Sequence, residues 1–217
     1  MKFKYALLDM DGTLLDTMPY WRNLIPIFAK INGLEAPQLD EKILNHAEQM
    51  ETYDGIAYLK KISKNEAIQK FQPNDAFTVM EYCYKNHSET IAGVLETLKR
   101  FKNNGIRMCC ASATPTRLVE IALKNTGIRE YFDFILSPDD YPKVKTSPEL
   151  FEGAAKRFGC ELKEMALFDD AVYNLRTSSK LGLYTVGVEE RYSLVYKDEI
   201  KAICNEYITS LAKFKLD

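Results

Sequence analysis

The sequence predicts a doubly wound, mostly parallel α/β sheet with an all-helical subdomain inserted behind its first strand. Three observations carry that expectation. Short β-type runs alternate with segments of helical spacing, the pattern of a sheet covered by helices. Turn glycines close most of the helical segments. One long block near the N-terminus has helical patterns and no convincing strand, and it is far too long to be a simple crossover. The 217 residues suffice for one large α/β domain carrying a smaller insert.

The elements follow in order. Five apolar runs, at 5–8, 108–111, 134–136, 166–168 and 184–186, are short and bounded by turn residues or helical patterns, as buried strands are. Between the first and second runs, Leu24, Ile27, Phe28 and Ile31 repeat at helical spacing and end at Asn32-Gly33, and 43–50, 56–62 and 66–71 read as further helices. The chain therefore divides into a core of residues 1–16 and 89–217 and a helical subdomain of residues 17–88. In the core, Val94, Leu95, Leu98 and Phe101 share a helical face that stops at Gly105. Residues 118–124 precede Gly127, and 175–181 precede Gly182. Ser147-Pro148-Glu149 reads as cap, first-turn proline and first-turn acid of a helix closed by Gly159.

Composition removes several function classes. Lys and Arg number 29 against 31 Asp and Glu, a net charge of -2, which opposes a nucleic-acid polyanion binder and a polybasic membrane anchor. Hydrophobic residues make up 46%, but no run reaches the roughly 18 apolar residues of a membrane span. Met1-Lys2-Phe3-Lys4-Tyr5 leads straight into Asp9 and Asp11, which predicts no signal peptide. Five scattered cysteines predict a reduced, cytoplasmic protein, with Cys109 and Cys110 as small core residues of the second strand. His46 and His87 have no partnering ligand pattern and read as structural or surface residues. The expected state is a monomer or weak homodimer.

In an open α/β sheet, ligands bind beyond the carboxyl ends of the strands. Asp9-Met10-Asp11-Gly12-Thr13 follows the first strand, Ser112-Ala113-Thr114 the second, and Asp169-Asp170 the fourth, while Lys145 lies between the third strand and the next helix. Four loops thus send carboxylates, hydroxyls and an ammonium to one crevice. Clustered carboxylates repel at low dielectric and call for a cation, and all-oxygen ligands without nearby His or Cys suit a hard ion, Mg2+ above Zn2+. A metal, a lysine and hydroxyl donors together suit a phosphoryl group, whose oxygens carry spread charge in the transition state. One carboxylate is then available to attack phosphorus and another, two residues later, to protonate the leaving group and later activate water.

These residues carry a resemblance. Asp9-Met10-Asp11-Gly12-Thr13-Leu14-Leu15-Asp16 resembles the DxDGT signature of the haloacid dehalogenase superfamily, and Ser112, Lys145 in Lys-Thr-Ser-Pro-Glu-Leu-Phe, and Asp169-Asp170 follow in the family's order. The insert resembles the family's helical cap, and the likeness runs from about residue 3 to about 190. It implies a Rossmann-like core in the phosphoglycolate phosphatase and beta-phosphoglucomutase-like subgroup, with the cap closing over a small phosphorylated metabolite. By that likeness Asp9 matches the nucleophile that forms an aspartyl-phosphate. Asp11 matches the acid/base, its backbone carbonyl also touching Mg2+. Asp170 matches the remaining metal ligand and Asp169 a neighbour acting through a bound water. Ser112 and Lys145 match the phosphate-holding pair, with the Ala113 backbone N–H and Thr13 beside them. The chain departs from the pattern at Ala113, where the family often has Asn, and at Ala171, where it often has Ser. Neither departure removes a catalytic group.

Asp11 opposes both dehalogenase and phosphonate-cleaving chemistry, since those relatives lack the second aspartate. The expected activity is therefore that of a Mg2+-dependent phosphatase, a phosphoric monoester hydrolase, with a phosphomutase of the beta-phosphoglucomutase type as the alternative. From another class come a catalytically silent phosphometabolite-binding protein and a phospho-accepting receiver module. A receiver carries an adjacent acid pair after its first strand, which the DxDGT spacing opposes. Phosphoglycolate, sugar phosphates and nucleoside monophosphates stand as candidate substrates. Trp21 reads as a core aromatic of the insert, and Arg22 as a candidate contact for the substrate's polar end.

Overall fold

The computed structural model describes residues 2–48, 50, 52–141 and 147–216. In chain order the elements are β1 (Tyr5–Leu8), α1 (Met18–Arg22), α2 (Leu24–Ile31), α3 (Glu41–Glu48), α4 (Thr52–Ile62), α5 (Glu66–Lys70) and α6 (Pro73–Asn86). There follow α7 (Val94–Asn103), β2 (Arg107–Ala111), α8 (Thr116–Asn125), β3 (Phe134–Leu136), α9 (Pro148–Phe158) and β4 (Met165–Asp169). The chain ends with α10 (Val172–Lys180), β5 (Tyr184–Val188), α11 (Lys197–Ile203) and β6 (Glu206–Ile208). Close packing groups these into two units, one holding the segments up to Asp16 and from Glu89 onward, the other Thr17–Ser88.

The first unit is a six-stranded sheet in the order β3-β2-β1-β4-β5-β6, with every pair parallel. That is the doubly wound α/β architecture expected. A parallel sheet is covered on both faces, so its central strands must be apolar on both sides. Accordingly Ala6, Leu7 and Leu8 of β1 and Ala166, Leu167 and Phe168 of β4 are all fully buried. The helices complete the core with one face each: Val94, Leu98 and Phe101 from α7, and Leu150, Phe151, Ala154 and Phe158 from α9. Ser147 sits at the N-cap position of α9, as its sequence predicts, yet its side chain caps no backbone N–H. Its hydroxyl donates to the Glu149 carboxylate instead.

The second unit is helical, as the spacing predicts, and packs around Phe71, Met80 and Tyr84. Its buried face on α2 is Leu24, Ile25 and Ala29, while Ile31 is 72% exposed, so the apolar stripe read from the sequence is rotated by part of a turn. Trp21 donates from Nε1 to the Tyr84 hydroxyl at 3.2 Å, and Arg22 donates to Asn45 Oδ1 at 2.8 Å. His46 meets the Tyr58 ring edge-on and His87 lies between Tyr20 and Tyr82, both as structural aromatic contacts. Cys109 and Cys110 are wholly buried in β2, and burial pushes the Cys109 thiol well up, which suits inert core residues. Among the described residues no helix is long and apolar enough to cross a membrane.

Candidate active site

Sheet register decides which side chains meet. β1 lies between β2 and β4 with Leu8 opposite both Cys110 and Phe168. Parallel strands in that register release their next residues side by side, so Asp9 and Asp169 emerge as neighbours, and Asp9 N–H donates to the Phe168 carbonyl at 3.0 Å. On the other side Ser112 follows β2, its N–H donating to the Leu136 carbonyl at 3.0 Å. After Asp9 the chain folds back at once: the N–H groups of Leu14 and Leu15 both donate to the Met10 carbonyl at 2.9 Å. Gly12 makes that reversal with φ of 88°, a left-handed conformation that strains an L side chain by roughly 1–2 kcal/mol.

Three carboxylates then converge. Asp9, Asp169 and Asp170 each bring one oxygen within 4.8 Å of the others, and they are only 6%, 0% and 5% exposed. At an effective dielectric near 20, like charges no farther apart than that repel by about 3.5 kcal/mol or more per pair. Neutral donors hold the group in place. Ala171 N–H and Asn174 Nδ2 bond Asp169, the amide reaching both carboxylate oxygens at 3.0 Å. Thr13 Oγ1 donates to Asp170 Oδ1 and Ser193 Oγ to Asp170 Oδ2, each at 3.2 Å. Such donors orient carboxylates without bringing a full positive charge. The donor set is therefore that of a hard divalent cation: buried, all oxygen and multiply anionic. The Asn174 side-chain oxygen Oδ1, buried with no hydrogen-bond partner among the described residues, adds one more acceptor at this place.

Asp11 lies at the rim of the same loop, half-buried, and Thr114 Oγ1 donates to its Oδ2 at 3.0 Å. Ser112 is buried, and its hydroxyl oxygen accepts from Thr114 N–H at 3.1 Å, which leaves the hydroxyl proton available to a ligand. Ala113 is half-buried between them. The structure thus brings Asp9, Asp169 and Asp170 into one cluster, bonds Thr13 to it, and sets Asp11 and Thr114 as a hydrogen-bonded pair. Lys145 lies outside the described residues.

Two supporting residues were not anticipated from the sequence. Asn174 stands five residues after Asp169 in the first turn of α10, where helical spacing alone could have flagged it. The apolar run of the fifth strand predicts an end at 186, whereas the strand runs to Val188, so Ser193 carries no strand-end signal in the sequence.

Comparison with known proteins fits this geometry. A sequence model of haloacid dehalogenase-like hydrolases matches residues 3–182. The chain belongs to the haloacid dehalogenase-like hydrolases. Among relatives, a phosphoglycolate phosphatase of Thiobacillus denitrificans is 27% identical over 192 residues, covering 84% of this chain and 81% of that protein. The pyrophosphatase PpaX of Bacillus velezensis is 28% identical over 191 residues, with the same 84% and 81% covered. The crystal structure of CbbY from Rhodobacter sphaeroides in complex with phosphate matches with a TM-score of 0.82 at 20% identity, over 97% of this chain and 96% of that one, a likeness of fold. The enzyme class expected from the sequence, a phosphoric monoester hydrolase of this family, is borne out by the family match and the phosphatase relatives.

Proposed function

We propose that this hydrolase is a Mg2+-dependent phosphatase that cleaves a small phosphorylated metabolite through an aspartyl-phosphate on Asp9. The observation that carries the reading is the buried triad of Asp9, Asp169 and Asp170 at the carboxyl end of a parallel sheet, with Asp11 and Ser112 on the flanking loops. A carboxylate cluster of that charge density suits a hard cation, and the adjoining hydroxyls suit phosphoryl oxygens. Phosphatase and pyrophosphatase relatives support the same substrate class.

In this reading an Asp9 carboxylate oxygen attacks phosphorus and the ester bond to the leaving oxygen breaks. Asp11, carrying the proton, delivers it to that oxygen, and as a carboxylate it then takes a proton from the water that attacks the acyl phosphate. Thr114 donates to one oxygen of Asp11 and so helps orient the carboxyl group. Ser112, the Ala113 backbone N–H and Lys145 hold the phosphoryl oxygens, while Thr13, expected beside them, commits its hydroxyl proton to Asp170. Asp9, Asp170 and the Asp11 carbonyl would ligate Mg2+, with Asp169 acting through water. A cation held by these residues would offset the carboxylate repulsion and would supply charge stabilisation to the phosphoryl oxygens.

The test is phosphate release from a panel of phosphoglycolate, sugar phosphates, nucleoside monophosphates and pyrophosphate, with and without Mg2+. Mg2+-dependent release that disappears in Asp9→Asn is the expected result. Release that persists in Asp9→Asn, or equal release in chelator, overturns the mechanism.

A further inference from the structure

We propose that Ser193 is a positioning residue that sets the metal-binding rotamer of Asp170, and that the turn beyond β5 is built to deliver it. The inference rests on the reading of Asp170 as a metal ligand and goes beyond it to a loop with no part in the family's signature residues.

Asp170 immediately follows β4, and its carboxylate is gripped from two sides. Thr13 reaches one oxygen from the loop after β1, and Ser193 reaches the other from the loop after β5, both at 3.2 Å. Two donors on opposite oxygens of one carboxylate fix its torsion as well as its place, which a single donor does not. Ser193 lies 23 residues away in the chain, so its arrival depends on the turn that carries it.

That turn is specified by a side chain buried for the purpose. Glu190 is 8% exposed, and its Oε2 accepts the backbone N–H groups of Tyr192 at 2.6 Å and Ser193 at 3.1 Å. The Glu190 carbonyl also accepts Ser193 N–H at 3.1 Å. Burying a glutamate is unfavourable unless its lone pairs are used, and burial does push this carboxyl up from its ordinary range. Its return is a turn whose fourth residue, Ser193, presents a hydroxyl to Asp170. Arg191, between them, reaches Asp16 Oδ1 at 3.2 Å, at the exit of the loop that carries Asp9, Asp11 and Thr13. An exposed pair of that kind adds little stability, but it registers the same two loops that Asp170 joins.

Residues behind a metal ligand commonly control affinity by about 10- to 100-fold. Since Thr13 remains, Ser193→Ala should weaken Mg2+ binding by about tenfold, at the lower end of that range. The measurement is calorimetric titration of Mg2+ into metal-free protein without substrate, with the metal-free unfolding midpoint recorded in parallel. Tenfold weaker binding with an unchanged midpoint supports the assignment, and Ser193→Thr, which keeps the hydroxyl, should bind within about twofold of wild type. Equal affinity in Ser193→Ala overturns it, as does an equal loss in Ser193→Thr. Asp170→Asn separates the metal site from its support. If it leaves Mg2+ affinity unchanged, the metal-ligand reading itself fails. If it abolishes binding while Ser193→Ala does not, only the role of Ser193 fails.

Discussion

Phe168 and Asp169 are consecutive residues of β4, and they belong to opposite designs. Phe168 joins Phe3, Phe101 and Phe214 in an aromatic cluster whose ring centroids lie 4.9–6.0 Å apart, all buried. Asp169 joins Asp9 and Asp170 in a cluster of like charges buried just as deeply. Burial of the first group is favourable by itself; edge-on and tilted ring pairs add to the area removed from water. Burial of the second is opposed by desolvation and by mutual repulsion, and persists because the rest of the sheet over-determines it. The favourable burial of the aromatic cluster offsets the unfavourable burial of the carboxylates beside it.

Substitutions at the two clusters should therefore move different observables. Asp9→Asn should lower kcat by at least about 10³-fold, because the attacking oxygen is gone, yet the metal-free protein should keep or gain stability as repulsion falls. Steady-state rates and urea midpoints on the same preparation check both halves; a large stability loss would break the comparison. Phe214→Ala should do the reverse. Its ring is 1% exposed, so truncation should destabilise by about 3–4 kcal/mol while the folded enzyme keeps its Mg2+ affinity within about twofold. A matching loss of metal affinity would mean the clusters are not separable.

Asn174→Ala sharpens the boundary. The side chain donates to both oxygens of Asp169, so its loss leaves a buried carboxylate short of two bonds. A stability loss of about 1–3 kcal/mol and an approximately tenfold weaker Mg2+ affinity are expected together, read by thermal unfolding and metal titration. A stability loss alone would place Asn174 with the scaffold.

How much of this was legible in the sequence follows the same divide. Strands buried along nearly their whole length show as unbroken apolar runs: β1, inside the sheet, matches its predicted limits of 5–8, and β3, at one edge but wholly buried, matches 134–136. β6 offers no such run, because only Ile208 of Glu206-Tyr207-Ile208 is buried. Asp9, Asp11, Ser112, Asp169 and Asp170 were readable because polar residues directly after apolar strands are visible without a structure. Ser193 and Glu190 were not, since their meaning depends on a turn whose hydrogen bonds close only in three dimensions. Lys145 was singled out by its motif and lies outside the described residues.

The smallest effect is expected at two adjacent glutamates just beyond β5, where environment alone separates equal side chains. Glu189 Oε2 accepts from Lys197 Nζ at 2.7 Å and from the Tyr207 hydroxyl at 3.0 Å, and these two hold its carboxyl below the ordinary 4.5. Burial instead pushes Glu190 up, against the pull of the Tyr192 and Ser193 N–H groups. The signs follow from linkage. Glu189 contributes its stability above pH 4.5 and loses it as pH falls through the lowered folded value. Glu190 binds its proton more tightly folded than unfolded, so it lowers stability as pH rises from 4.5 through its raised folded value. Because the Lys197 and Glu189 side chains are 36% and 27% exposed, Glu189→Gln should reduce stability at pH 7 by less than about 1 kcal/mol. That difference should close on acidification, once the wild-type carboxylate is protonated in both states. Denaturant midpoints of the two proteins at pH 7 and pH 3 test it: curves that stay parallel across that range would show that the Lys197 pair contributes nothing through charge.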